Sequence, residues 1–173
     1  FGIEIIGGDT ISNEKLDISV TIISKVSNPI YRKGMNKGDI LCYTGTLGLC
    51  KIYLERLFKN KEVPKKSKFI KPILNADFFY EIAPLITTSM DISDGLFFEL
   101  ERLSKANKLG FEFFHKIDEE IGTSGEEYEI LFSFNENNLE KIKKIALKHK
   151  VKLNPFAKAV KGKYTTDCKN HHF

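Results

Sequence analysis

An apolar stretch over residues 86–90 runs directly into Asp91-Ile92-Ser93-Asp94-Gly95-Leu96, after which Leu96, Leu100 and Leu103 recur at helical spacing. Few folds satisfy this pattern: a strand has to turn sharply into a helix, and two carboxylates three residues apart have to sit at the corner. In α/β folds such corners are where loops carry chemistry. Gly95 permits a tight backbone there, and Ser93 or Asp94 is suited to cap the helix that follows. A cap alone would account for a Ser-Asp pair before an apolar helix. The surroundings favour a cation site instead. Residues 72–101 contain no Lys or Arg, although the chain carries 27 of them, so Asp91 and Asp94 have no basic neighbour in sequence.

Two other segments repeat the design of small residues beside acids. Ile5-Ile6-Gly7-Gly8-Asp9-Thr10 takes an apolar strand into glycines and an acid, making Asp9 a candidate third carboxylate. A hairpin turn is the competing reading, because alternating Leu16-Asp17-Ile18-Ser19-Val20-Thr21-Ile22 follows and would supply the second strand. Thr123-Ser124-Gly125-Glu126-Glu127-Tyr128-Glu129 leads a small-residue turn into a strand. Strand alternation puts Glu127 and Glu129 on one face, Glu126 and Tyr128 on the other. Thr44-Gly45-Thr46-Leu47-Gly48 is a glycine-containing turn between a strand and a helix, but it lacks the Gly-Lys-Ser/Thr ending of a Walker loop and the dinucleotide pattern. Its amides could meet an anion at the helix start, or simply let the helix pack on a sheet.

These segments, in this order, resemble the thiamine-monophosphate kinase family of the aminoimidazole ribonucleotide synthetase-like superfamily. The resemblance rests on Gly7-Gly8-Asp9-Thr10, Arg32-Lys33-Gly34 with Lys37-Gly38-Asp39, Tyr43-Thr44-Gly45-Thr46-Leu47-Gly48, Asp91-Ile92-Ser93-Asp94-Gly95-Leu96, Gly125-Glu126-Glu127-Tyr128-Glu129 and the closing His172-Phe173. Where the family has two glycines and Glu-Asp before the tyrosine, this chain has Ser124-Gly125-Glu126-Glu127. The family's aromatic residue just before the final His-Phe is absent as well. Family members carry a longer N-terminal domain ahead of the Gly-Gly-Asp strand, so the resemblance is to the C-terminal portion.

The resemblance implies an α+β fold with layered α/β packing: residues 1–27 would end the N-terminal ATP- and metal-binding domain, and 28–173 would form the C-terminal α/β domain. It implies transfer of the γ-phosphoryl of ATP to thiamine monophosphate, giving the diphosphate. Asp9, Asp91 and Asp94 would hold Mg²⁺. Gly8, Asp9, Arg32 and Ser93 would meet the nucleotide, and Glu126 would face the cationic thiazolium. No residue is expected to act as general base, because a phosphate monoester with a second pKa near about 6 is already largely deprotonated at neutral pH. The full-length protein is expected to be a cytoplasmic homodimer. Two alternatives stand beside this one: another ATP-using enzyme of the same superfamily, and a truncated, non-catalytic nucleotide-binding module.

Composition bounds the rest. With 173 residues, 42% hydrophobic and 14 of them Phe, the chain can bury an ordinary core. A net charge of +4 is too mild to argue for nucleic acid. The concentrated basic stretch at 59–71 reads as a solvated linker, with Phe69 its one aromatic. Cys42, Cys50 and Cys168 form no CxxC pair and suit reduced thiols. The adjacent His171 and His172 lack a Cys partner at zinc-finger spacing. No apolar run is long enough to span a membrane. Periodicity predicts strands at 4–6, 16–26, 39–44, 86–90, 111–115 and 128–134. Helices are predicted over 49–60, 75–82, from Leu96 to a stop at Gly110, and over 139–149.

Overall fold

Five segments pair into one antiparallel sheet in the computed structural model, which describes residues 4, 6–8 and 14–168: β1 (Ile40–Thr44), β2 (Ile86–Ile92), β3 (Leu109–Phe113), β4 (Glu129–Phe134) and β5 (Leu153–Lys161). Their order in space is β2-β4-β1-β5-β3. The helices are α1 (Leu49–Phe58), α2 (Ala76–Ile82), α3 (Leu96–Asn107), the single turn α4 (Glu119–Gly122) and α5 (Leu139–His149). Strands and helices build three layers, the α+β arrangement expected from the sequence.

Side-chain alternation divides the core between the two faces of the sheet. Leu41, Met90, Ile92 and Leu131 point to one face, where Leu96, Leu100 and Leu103 of α3 cover them. Ile40, Cys42, Phe132 and Phe134 point to the other, beneath Phe78 and Ile82 of α2 and Ile142 and Ile145 of α5. Leu96, Leu100 and Leu103 are fully buried, and each contributes about 1.5–3 kcal/mol of transfer free energy. Ile86 belongs to the second face although it shares parity with Met90 and Ile92. A register shift between Ile86 and Thr88 reverses the alternation, as a bulge does.

Most predicted elements are present, but β3 lies two residues before the strand expected at 111–115 and α4 was not foreseen. Residues 16–26 join no strand: Leu16, Ile18, Val20 and Ile22 are 72–89% exposed. Alternation alone cannot hold a strand whose backbone groups find no partner. The strand expected at 4–6 includes Ile5, which lies outside the described residues. Helix α3 ends two residues early, because Lys108, not Gly110, takes the left-handed conformation (φ 57°) that closes it. Gly110 sits inside β3. The unforeseen strand is β5, which lies between β1 and β3. Its Pro155 faces Cys42 where the β1–β5 register shifts, a bulge where a residue without an N–H is tolerated.

All three cysteines are free thiols, two buried and Cys168 partly exposed. Burial pushes Cys42 up to about 12. Burial, reinforced by the charge of Glu127, does the same to Cys50. Iodoacetamide at about pH 8 is therefore expected to alkylate Cys168 and spare the other two until the chain unfolds. Peptide mass spectrometry reads this directly, and equal labelling of all three in the native state would contradict the burial. Among the described residues no helix is long and apolar enough to cross a membrane.

Candidate functional site

Strand β2 ends in the sequence Asp91-Ile92, so alternation sends Ile92 into the core and Asp91 outward to solvent. The chain then turns through Ser93 and Asp94, both partly exposed, into α3. Neither side chain caps the helix, contrary to expectation; the cap position falls to Gly95 and has no side-chain bond. Glu99, in the first turn of α3, instead reaches back to accept the Asp94 N–H at 3.2 Å. Its negative charge is favourably placed near the positive end of the helix dipole.

The loop carrying Glu126 lies directly on this corner. Glu126 donates its N–H to the Ser93 carbonyl at 2.6 Å, and Tyr128 donates its N–H to the Ile92 carbonyl at 2.9 Å. Gly125 has to be glycine at such an approach, since a Cβ there would lie 2.9 Å from the Ser93 oxygen. Glu126 and Tyr128 both adopt positive φ, 56° and 50°, a conformation costing about 1 kcal/mol or more per non-glycine residue. Their side chains are exposed and joined, Tyr128 Oη donating to Glu126 Oε2 at 2.6 Å. That bond to Glu126, with the charge of Asp91 contributing, pushes the Tyr128 phenol up to about 12. Asp91, Ser93, Asp94 and Glu126 are thus one surface.

The predicted alternation holds, and the opposite face is as informative. Glu127 and Glu129 are buried, and Glu127 accepts bonds from the amides of Gly48 (2.7 Å) and Cys50 (3.2 Å) and from Ser124 Oγ (2.6 Å). The Thr44–Gly48 turn does bind an anion at the start of α1, and that anion is the protein's own Glu127. Ser124 and Glu127, the two departures from the family pattern, are therefore each other's partners. Glu129 accepts from Thr44 Oγ1 at 2.7 Å. Gly45 (φ 68°) is packed so closely on Glu129 that a Cβ would collide with its carboxylate.

One cation serves both buried acids. Lys68 Nζ lies 2.5 Å from Glu127 and 3.0 Å from Glu129, and donates to the Thr46 carbonyl at 2.5 Å. This lysine comes from the basic stretch read as a solvated linker, yet its side chain is only 10% exposed. Composition hid it among neighbouring lysines. The other missed residues are Glu99 and Arg102: Arg102 Nη1 bonds both Glu99 oxygens at 2.8 and 2.9 Å, and Nη2 bonds Asp94. The i,i+3 spacing of Glu99 and Arg102 on α3 was the available signal.

Arg32 is exposed and lines a groove of about 570 Å³ together with Lys33, Ser89 and Met90, beside the strand end that carries Asp91. Gly8 is exposed and a Cβ on it would meet nothing within 4 Å, so no described contact there demands glycine. Asp9, His171 and His172 lie outside the described residues. No group of three or more His, Cys, Asp or Glu side chains is close enough to hold a metal among the described residues. Two carboxylates nevertheless fit Mg²⁺, which takes one or two from protein and completes its shell with water and phosphate oxygens. The expectation that no basic residue meets the corner does not hold for Asp94, whose carboxylate pairs with Arg102 of α3.

No family model matches the chain. The thiamine-monophosphate kinase of Leptospira interrogans is 27% identical over 152 residues, covering 76% of this chain and 50% of that protein. That of Buchnera aphidicola is 28% identical over 176 residues, covering 87% and 54%. The chain therefore spans about half the length of the curated relatives it matches. Among solved structures, the AaThiL complex with AMPPCP and TMP superposes with a TM-score of 0.67 at 20% identity, over 82% of this chain and 53% of that one. T. maritima PurL complexed with ATP gives 0.58 at 16% identity, over 78% and 23%. The chain is thus similar in sequence to thiamine-monophosphate kinases over about half of their length, and shares its fold with these solved structures.

Proposed function

We propose that the protein carrying this chain transfers the γ-phosphoryl group of ATP to thiamine monophosphate, and that this chain supplies one wall of the site. The observation that carries the reading is the docking of the Glu126 loop on the Asp91–Asp94 corner, Glu126 N–H to Ser93 carbonyl at 2.6 Å. It sets a candidate substrate carboxylate beside two candidate metal ligands. In this reading residues 1–27 end an N-terminal ATP- and metal-binding domain, and 28–173 are the C-terminal domain. The full-length protein is a cytoplasmic homodimer.

The reaction brings two anionic phosphates together, so offsetting their repulsion and aligning them is the main task. Asp91 and Asp94, with Asp9, would hold Mg²⁺, which would supply positive charge to offset that of the phosphates. Arg32 offers a planar fork suited to phosphate oxygens. Ser93, held by its carbonyl against the Glu126 loop, offers its hydroxyl to the nucleotide, and Gly8 leaves room for backbone approach. Glu126, exposed and oriented by Tyr128, attracts the thiazolium. No side chain needs to remove a proton from the acceptor.

Thiamine diphosphate formation from thiamine monophosphate, ATP and Mg²⁺ tests this, with the full-length protein and residues 1–173 assayed side by side. Product is expected with the full-length protein only. Its absence in both would redirect the search to another phosphoryl acceptor of the superfamily.

A further inference from the structure

Glu99 belongs to none of the motifs that point to function, yet its carboxylate is fully buried. A buried carboxylate requires a partner, and Arg102 supplies it by giving Nη1 to both Glu99 oxygens. Anchored in this way, the guanidinium presents Nη2 to Asp94 Oδ2. Glu99 also accepts the Asp94 N–H, so backbone and side chain of Asp94 are both tied to the same pair. The Asp94 carboxylate is 10% exposed and the Arg102 side chain 41% exposed. Glu99 holds one end of the guanidinium, Asp94 the other, and the side chain as a whole is partly exposed.

A guanidinium on Oδ2 and a divalent cation compete for one oxygen. We propose, building on the reading of Asp94 as a metal ligand, that Arg102 is its resident counter-ion, which a divalent cation must displace. Metal binding at this corner is then weak until a phosphate-bearing ligand arrives. The displaced Nη2 edge needs a new anion, and phosphate oxygens match the guanidinium fork. Glu99 keeps hold of Nη1 throughout, so the arginine exchanges one anionic partner for another without leaving the corner. The arrangement ties metal occupancy to nucleotide occupancy. Arg102 acts through Asp94 while the corner is without metal, and on the phosphate itself once the cation has taken its place.

Binding of Mn²⁺ to the full-length protein, followed by the paramagnetic resonance of the free ion with and without AMPPCP, tests this. The main variant is Glu99→Gln/Arg102→Gln, which removes both charges together and keeps an acceptor for the Asp94 N–H. Without nucleotide it is expected to bind Mn²⁺ about fivefold more tightly than wild type, the upper range for losing one partly exposed ion pair. The strengthening by AMPPCP is expected to shrink. Damage to the fold would weaken binding, so the sign separates the two. Arg102→Lys, which keeps Glu99 paired but lacks the fork, serves as a second variant and is expected to fall between. Variants that bind Mn²⁺ no more tightly than wild type overturn the proposal, while weakened binding in Asp94→Asn still upholds the metal reading. Binding unaffected by Asp94→Asn overturns both.

Discussion

Asp91→Asn is expected to abolish Mg²⁺-dependent phosphoryl transfer in the full-length protein while leaving its melting temperature unchanged. Asp91 is exposed at the end of β2, and its neighbours Met90 and Ile92 are the residues that bind the strand to the core. Asparagine keeps the shape and loses the charge, so the fold has nothing to resist. The site loses one of its hard anionic ligands, and turnover should fall at least about a hundredfold, the scale for removing one group that stabilises transition-state charge. Asp94→Asn should lower activity as strongly, but it also takes a partner from Arg102 and should cost about 1 kcal/mol of stability. Activity of either variant within about twofold of wild type would remove that residue from the metal site.

The second large effect concerns stability. Lys68→Met leaves Glu127 and Glu129 facing each other with no cation, and breaking a buried pair this way costs about 3–5 kcal/mol. Urea unfolding should show a correspondingly lower midpoint, with much of it recovered in Lys68→Met/Glu127→Gln, where the orphaned charge is removed too. An unchanged midpoint in the single variant would mean that the lysine does not hold the loop. The pH dependence has a definite sign. Burial pulls the Lys68 pKa down, but the bonds to Glu127 and Glu129 outweigh it, and the value ends above the usual 10.5. A cationic group raised on folding stabilises fully below its unfolded value and ceases to as pH climbs through the folded one. Wild type should therefore lose stability in alkaline solution beyond 10.5, and Lys68→Met should lack that component of the loss.

How far the sequence revealed this molecule depended on which physical rule each element obeys. Helix α5 was legible end to end because Leu139, Ile142, Ile145 and Ala146 repeat at helical spacing on the face that meets the sheet. Strand β5 was not, because its proline and three lysine or asparagine positions imitate a loop, and only a bulge opposite Cys42 makes room for Pro155. Residues 16–26 failed in the opposite direction: the alternation is there, but pairing is a property of two segments. The corner at Asp91–Asp94 and the exposure of Glu126 were readable because carboxylates at a strand-to-helix turn and strand parity are local facts. Of Arg102 the sequence showed only the i,i+3 spacing from Glu99; Lys68 was not legible, because its role comes from acids whose burial only tertiary packing decides. The mutual fit of Ser124 and Glu127 was hidden for the same reason.

The sheet order has a kinetic consequence. Strand β1 is flanked by β4 and β5, its register joining Ile40 to Phe134 on one side and to Lys158 on the other. The first strand of this sheet in chain order is thus its centre, and both of its neighbours come from the last third of the chain. During synthesis β1 emerges with two bare edges; one waits for β4 and the other until Lys161 has cleared the ribosome. Such distant pairing makes for slow folding and a long interval open to misassembly. A product ending before Leu153 would carry two uncovered strand edges where the complete sheet has β5, inviting a neighbouring molecule to pair there.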